Sequence, residues 1–228
     1  MKFLRDPLGR PIKRLYFKTE ELDERCERIM RDFMDRRSGG FRLPIPTDEI
    51  VRMIETEADD LDMYADLPEG QDGFTEFFVD RKPRVQISRR LSDPRYENRL
   101  RTTLGHEYGH VWFHAPLWRK SAEHSDRRPA TPSWLCYRDT IVTAPENDWM
   151  EWQAGYICGA LRMPRTSMIV LTNQVVESYG GAAPATLDAR AGRDLIVQVR
   201  KRFQVSEQAA QVRLSRLGLL TEGPKARR

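Results

Sequence analysis

His106-Glu107-Tyr108-Gly109-His110 constrains this chain more than any other stretch. It has the form H-E-x-x-H and contains two of the four histidines. On a helix, positions four apart lie one above the other on the same face. Two imidazoles so placed can share one metal ion, and Glu107, beside that face, can reach a metal-bound water. A chain that uses the pair must supply a helix over these residues and a further ligand from elsewhere. The chemistry implied is that of a zinc hydrolase, usually a peptidase.

The flanking residues supply that helix. Asp93-Pro94 offers an N-cap with proline at the first helical position, so a helix is expected through Leu100, Leu104 and Tyr108 to about Phe113, ending before Pro116. Upstream, short segments at 61–67, 74–79 and 85–88 read as strands, and Asp80-Arg81-Lys82-Pro83 as a turn between two antiparallel ones. Leu22, Cys26, Ile29, Met30 and Phe33 keep helical spacing over Thr19–Arg37, closed by Gly39-Gly40. Thr47 is the expected N-cap of a second helix. Downstream, Ala115–Asn147 has little periodicity and four prolines, the texture of an irregular segment over a functional site. Helices then follow at about 148–163, 166–179, 187–203 and 206–217, with Ser206 capping the last. The expected fold is α+β, mainly helical, with a small antiparallel sheet before the motif helix. Three segments are expected: 1–46 as an N-terminal helical extension, 47–181 as the metal-binding domain, and 182–228 as a helical, helix-turn-helix-like end with a basic tail.

A chain of 228 residues can bury a core without crosslinks. The three cysteines, Cys26, Cys136 and Cys158, are scattered and form no C-x-x-C pair, which excludes a disulfide framework and a cysteine zinc knuckle. No apolar run reaches signal-peptide or membrane-spanning character, so a cytoplasmic, reduced protein without membrane contact is expected. From Thr186 to Arg228 there are ten Lys/Arg against four Asp/Glu. A basic end of this kind can touch nucleic acid, or can simply be a solvated helical face.

Catalytic zinc takes three protein ligands and keeps one position for water. His114 continues the four-residue series, but an α-helix rises about 12 Å from 106 to 114. That is too far for bonds of about 2 Å to one ion, so His114 reads as a packing residue or a support for a ligand. His124 reads as an exposed loop histidine and Cys136 as an inert thiol. Glu151 is the stronger candidate, because positions 151, 155, 158 and 159 form one helix stripe of Glu, Gly, Cys and Gly, flanked by Ala154. Small residues allow close helix approach, which would bring its carboxylate to a metal on a neighbouring helix. Glu146 and Asp148 remain substitutes.

Thr103-Leu104-Gly105-His106-Glu107-Tyr108-Gly109-His110, an E-x-Q-A segment at Glu151, Leu161-Arg162-Met163-Pro164, the G-F-x-x-x-x-x-D from Gly73, and Phe203-Gln204-Val205-Ser206 leading to Arg213-Leu214-Ser215-Arg216-Leu217-Gly218 stand in one order. The ordered set resembles the ImmA/IrrE family of zinc metallopeptidases over roughly Thr47 to Leu219. Those proteins are associated with mobile-element immunity and radiation response in bacteria. The resemblance implies a zincin-like domain, zinc (Zn2+) on His106, His110 and Glu151, and Glu107 as the catalytic base. It also implies a protein substrate, a helix-turn-helix repressor whose cleavage turns genes on. One departure stands beside the third ligand, where the family's E-A-N is Gln153-Ala154-Gly155.

Three functions follow as expectations. The first is the zinc endopeptidase. The second is a DNA-binding regulator or antitoxin-like protein with a non-catalytic zinc site, in which Ser206, Glu207, Gln208 and Gln211 could contact bases from the start of a helix that also carries Arg213 and Arg216. The third is an adaptor that binds a repressor without cutting it. An intact Glu107 favours the first, since a structural site has no use for a general base. For the oxyanion donor, side-chain chemistry leaves His124, Tyr137, Arg138 and Tyr156 open.

Overall fold

The computed structural model describes residues 2–10, 12–38, 40–122, 133–137 and 148–223. Strands β1 (Lys2–Arg5) and β2 (Lys13–Tyr16) form an antiparallel hairpin, followed by helices α1 (Thr19–Ser38) and α2 (Thr47–Glu57). Strands β3 (Asp60–Ala65), β4 (Gln71–Glu76) and β5 (Arg84–Ser88) precede the motif helix α3 (Glu97–Gly109). A π turn over His110–His114 leads into α4 (Ala115–Ala122). Then come β6 (Ser133–Tyr137), α5 (Trp149–Arg162), α6 (Arg165–Ser178), β7 (Ala185–Thr186), α7 (Arg190–Phe203), α8 (Glu207–Arg216) and β8 (Leu220–Thr221). The architecture is α+β and mainly helical. Two compact units divide the chain, Met1–Leu22 with Pro46–Cys158 and Asp23–Ile45 with Gly159–Arg228, so residues before Thr47 serve both. Among the described residues no helix is long and apolar enough to cross a membrane.

In the first unit a four-stranded sheet runs β3-β5-β4-β6. β4 pairs antiparallel with β5, as the turn at 80–83 predicts, and also with β6 from the stretch expected to be irregular, while β3 joins β5 in parallel. β4 is largely buried although it carries Gln71, Asp72 and Thr75. Arg99 of α3 donates to Asp72 (2.5 Å from Nη2 to Oδ1), with Arg90 on the same carboxylate at 3.1 Å. This buried charge thus tethers the strand to the motif helix. Phe77 stacks on Trp118 at 5.8 Å, within an apolar cluster that includes Ile12, Leu117, Trp149 and Met150.

Three expectations about helix ends need correction. Thr47 is the first residue of α2 rather than its cap; extended Pro46 holds that place, and the Thr47 hydroxyl donates to Glu97 instead of serving its own helix. Asp93 does cap, accepting from the Arg95 amide, but it opens a 3-10 turn at Pro94–Tyr96 from which α3 begins at Glu97. Nor does the helix stop before Pro116. After Gly109 the backbone ladder widens, Ala115 N–H reaching the carbonyl of His110. This makes Pro116 a first-turn residue of α4, where a missing N–H and a fixed φ are tolerated. The stretch expected to be irregular from Ala115 therefore starts as helix.

The second unit packs α6, α7 and α8 around Met168, Val176, Leu195, Val199, Phe203, Ala210 and Leu214, with a short parallel pair of β7 and β8. Ser206 caps α8 as expected, accepting from the Ala209 amide at 3.2 Å. Arg213 is buried, its guanidinium donating to Asp23 of α1 (2.5 Å) and to the Met163 carbonyl (3.0 Å). Arg213, in the segment whose spacing suggests a helix-turn-helix, is committed to the interior of its own unit.

Candidate metal centre

Helices α3 and α5 meet through small residues. A methyl group built on Gly109 would lie 3.0 Å from the Ala154 Cα, and one on Gly105 would lie 3.2 Å from the Cys158 sulfur. Glycine costs roughly 1 kcal/mol against alanine within a helix, and here it lets another helix come to backbone range. The contact face of α5 is thus Ala154 and Cys158, with Glu151 one turn earlier on the same side. Close approach at Gly109 carries the Glu151 carboxylate to the two motif histidines.

The resulting group is compact and dry. His106 Nε2 lies 3.1 Å from Glu151 Oε2, His110 Nε2 lies 3.2 Å from Glu151 Oε1, and the two Nε2 atoms are 3.0 Å apart. All three side chains are buried. Tetrahedral ligands at bonds of about 2.0–2.1 Å are separated by about 3.3 Å, close to these distances, and one ligand atom from each residue lies within 4.8 Å of the others. Burial opposes charge on Glu151, but His110 and His106 overcome it and hold the carboxyl well below its ordinary range. Burial likewise works to lower the His110 pKa, and the charge and hydrogen bond of Glu151, with Glu107 and Asp148, turn the net shift upward. The site is built for positive charge between its members.

Glu107 lies fully buried beside them. Its Oε2 accepts from the Thr75 hydroxyl of β4 at 2.5 Å, leaving Oε1 without a hydrogen-bond partner among the described residues. A methyl group on Gly73 would lie 2.5 Å from that Oε1 and 2.7 Å from Thr103 Cγ2. Gly73 is therefore the gap that the Glu107 carboxylate fills. Gly73→Ala is expected to displace Glu107 and to cost about 1–3 kcal/mol, the usual cost of overpacking. Urea unfolding with a parallel activity assay checks this, and wild-type values in both would refute the tight fit.

His114 stands one step behind His110. The two Nδ1 atoms are 3.0 Å apart, and His114 Nε2 lies 3.2 Å from Gln153 Oε1. Burial drives the His114 pKa well down, and the neighbouring His110 pushes the same way. Its ring also meets Trp149 edge-on at 5.4 Å. His110 and His114 are the first and last residues of the π turn.

Residues 59–215 match the family model of the Peptidase M78 family, described as the IrrE N-terminal-like domain. The chain belongs to this family. No curated protein matches it. Membership of the Peptidase M78 family brings a metallopeptidase-type function, and His106, His110 and Glu151 form the group that could hold the metal.

Of the other expected participants, Asp148 is engaged elsewhere: it accepts from Arg10 (3.1 Å) and caps α5 through the Met150 amide (3.0 Å). Tyr156 is buried with its ring stacked on Trp152 at 5.5 Å. His124, Arg138 and Glu146 lie outside the described residues, as do the side chains of Cys136 and Tyr137. Reading the residues singly missed Thr75, Gly73 and Gln153. A polar residue on a strand, a glycine two positions before it, and a departure from the family's E-A-N were the available signals.

Proposed function

We propose that the chain is a zinc-dependent endopeptidase that cuts a peptide bond in a protein substrate. A helix-turn-helix transcriptional repressor is the substrate proposed, so that cleavage releases its genes. The observation that carries the reading is the buried Glu107, with one carboxylate oxygen held by Thr75 and the other uncommitted, beside the three-residue His106, His110 and Glu151 group. A non-catalytic zinc site has no use for such a carboxylate.

These three residues would hold zinc, which when bound supplies a Lewis acid for the carbonyl and lowers the pKa of a water to about 7. Glu107 takes the proton of the attacking water on its uncommitted oxygen and passes it to the leaving amine. Thr75 fixes the carboxylate through its other oxygen, and the absence of a side chain at Gly73 leaves room for the uncommitted one. Burial of the group keeps bulk water from competing for these charges.

The test mixes wild-type protein with a small helix-turn-helix repressor, sought first in the neighbouring reading frame, with zinc and with a chelator control. Discrete fragments formed only with zinc are expected; repressor binding without fragments points to an adaptor instead. His110→Ala is expected to lose stoichiometric zinc, because it removes one of three ligands. A full equivalent of zinc on that variant would sink the ligand assignment.

A further inference from the structure

Gln153 links the candidate metal centre to a part of the chain with no evident role. Its Nε2 lies 2.7 Å from the carbonyl oxygen of Leu15 in β2. A carbonyl oxygen only accepts, so the Gln153 atom facing it must be the NH2. The amide oxygen then faces His114 Nε2, and it too only accepts, so His114 carries its proton on Nε2. A neutral imidazole protonated there offers a lone pair on Nδ1, 3.0 Å from the Nδ1 of His110. His110 must therefore donate from Nδ1, which leaves its Nε2 as the lone pair directed at His106 and Glu151.

We propose that this directional chain, from the Leu15 carbonyl through Gln153 and His114, selects the His110 tautomer that presents Nε2 to the metal, making the N-terminal hairpin part of the centre. The inference rests on His110 being a zinc ligand. His114 and Gln153 are positioning residues that do not touch the ion themselves. The hairpin is anchored for the purpose. The Trp149 indole N–H donates to buried Asp6 at 3.0 Å, Arg10 pairs with Asp148, and Phe17 meets Phe113 edge-on at 5.9 Å. Supports of this kind behind a metal-binding histidine fix its tautomer and orientation, and their loss typically lowers metal affinity 10–100-fold.

With only four histidines in the chain, long-range proton–nitrogen NMR of the zinc-loaded full-length protein reads each tautomer directly. His114 protonated on Nε2 and His110 protonated on Nδ1 are expected. Zinc affinity is measured in parallel by chelator competition, where His114→Phe and Gln153→Leu are each expected to bind about 10–100-fold more weakly. His114 found protonated on Nδ1, with both variants at wild-type affinity and His110→Ala devoid of zinc, overturns the chain and leaves the ligand reading standing. Undiminished zinc on His110→Ala overturns both. The NMR measurement needs no variant to fold.

Discussion

Replacing Glu107 with glutamine is expected to slow peptide-bond hydrolysis by about 10²–10⁴-fold, the range a positioned general base contributes. Glutamine keeps the shape of the side chain, so it still fits the gap at Gly73 and its amide oxygen can still accept from Thr75. What disappears is a group basic enough to take a proton from water. None of the three proposed zinc ligands changes, so zinc content and unfolding midpoint are expected to stay at wild-type values. The measurement is the rate of fragment formation from the repressor, alongside metal analysis of the same sample. Undiminished cleavage would remove Glu107 from the mechanism. Zinc lost together with activity would make its role structural.

The second large effect lies in the other unit. Asp23→Ala leaves the Arg213 guanidinium buried without the carboxylate it now contacts at 2.5 Å, both residues being 2% exposed. Breaking one partner of such a pair costs roughly 3–5 kcal/mol, because the remaining charge stays desolvated. For a chain of this size the thermal midpoint should fall by on the order of 10 °C. Removing both charges with apolar residues of similar volume should recover much of the loss. An Asp23→Ala midpoint within a degree of wild type would show that water reaches Arg213 in solution.

The legible parts of the fold were those set by neighbours in sequence. Leu22, Cys26, Met30 and their partners announced α1 by spacing, and Ser206 announced the start of α8 by its side-chain oxygen. The candidate site was legible for the same reason, as His106 and His110 need only a helix to meet, and Glu151 needed only a small-residue face. Contacts between distant segments left fainter marks. Nothing in the sequence around Gly73 says that a carboxylate from α3 will occupy its side-chain space, because that depends on the approach of strand to helix. Gly105 and Gly109 set how near α5 can come, which the motif letters alone do not say. Gln153 read as a departure from a family pattern until His114 was seen against it. The parallel placement of β3 was hidden too, since strand direction follows from the path of the chain rather than from strand composition.

The π turn at His110–His114 has a consequence for how distances are judged along this chain. Each residue of an α-helix turns the axis by about 100°, so the widened step puts α4 out of phase with the helix that bears the motif. Counting positions beyond His110 therefore no longer measures rotation, and a histidine four places on belongs to a different angular frame from His106 and His110. The insertion acts as a gear between two helices. Upstream, the face is dedicated to two imidazoles and a carboxylate; downstream, the re-phased face turns Leu117 and Trp118 into the apolar interior.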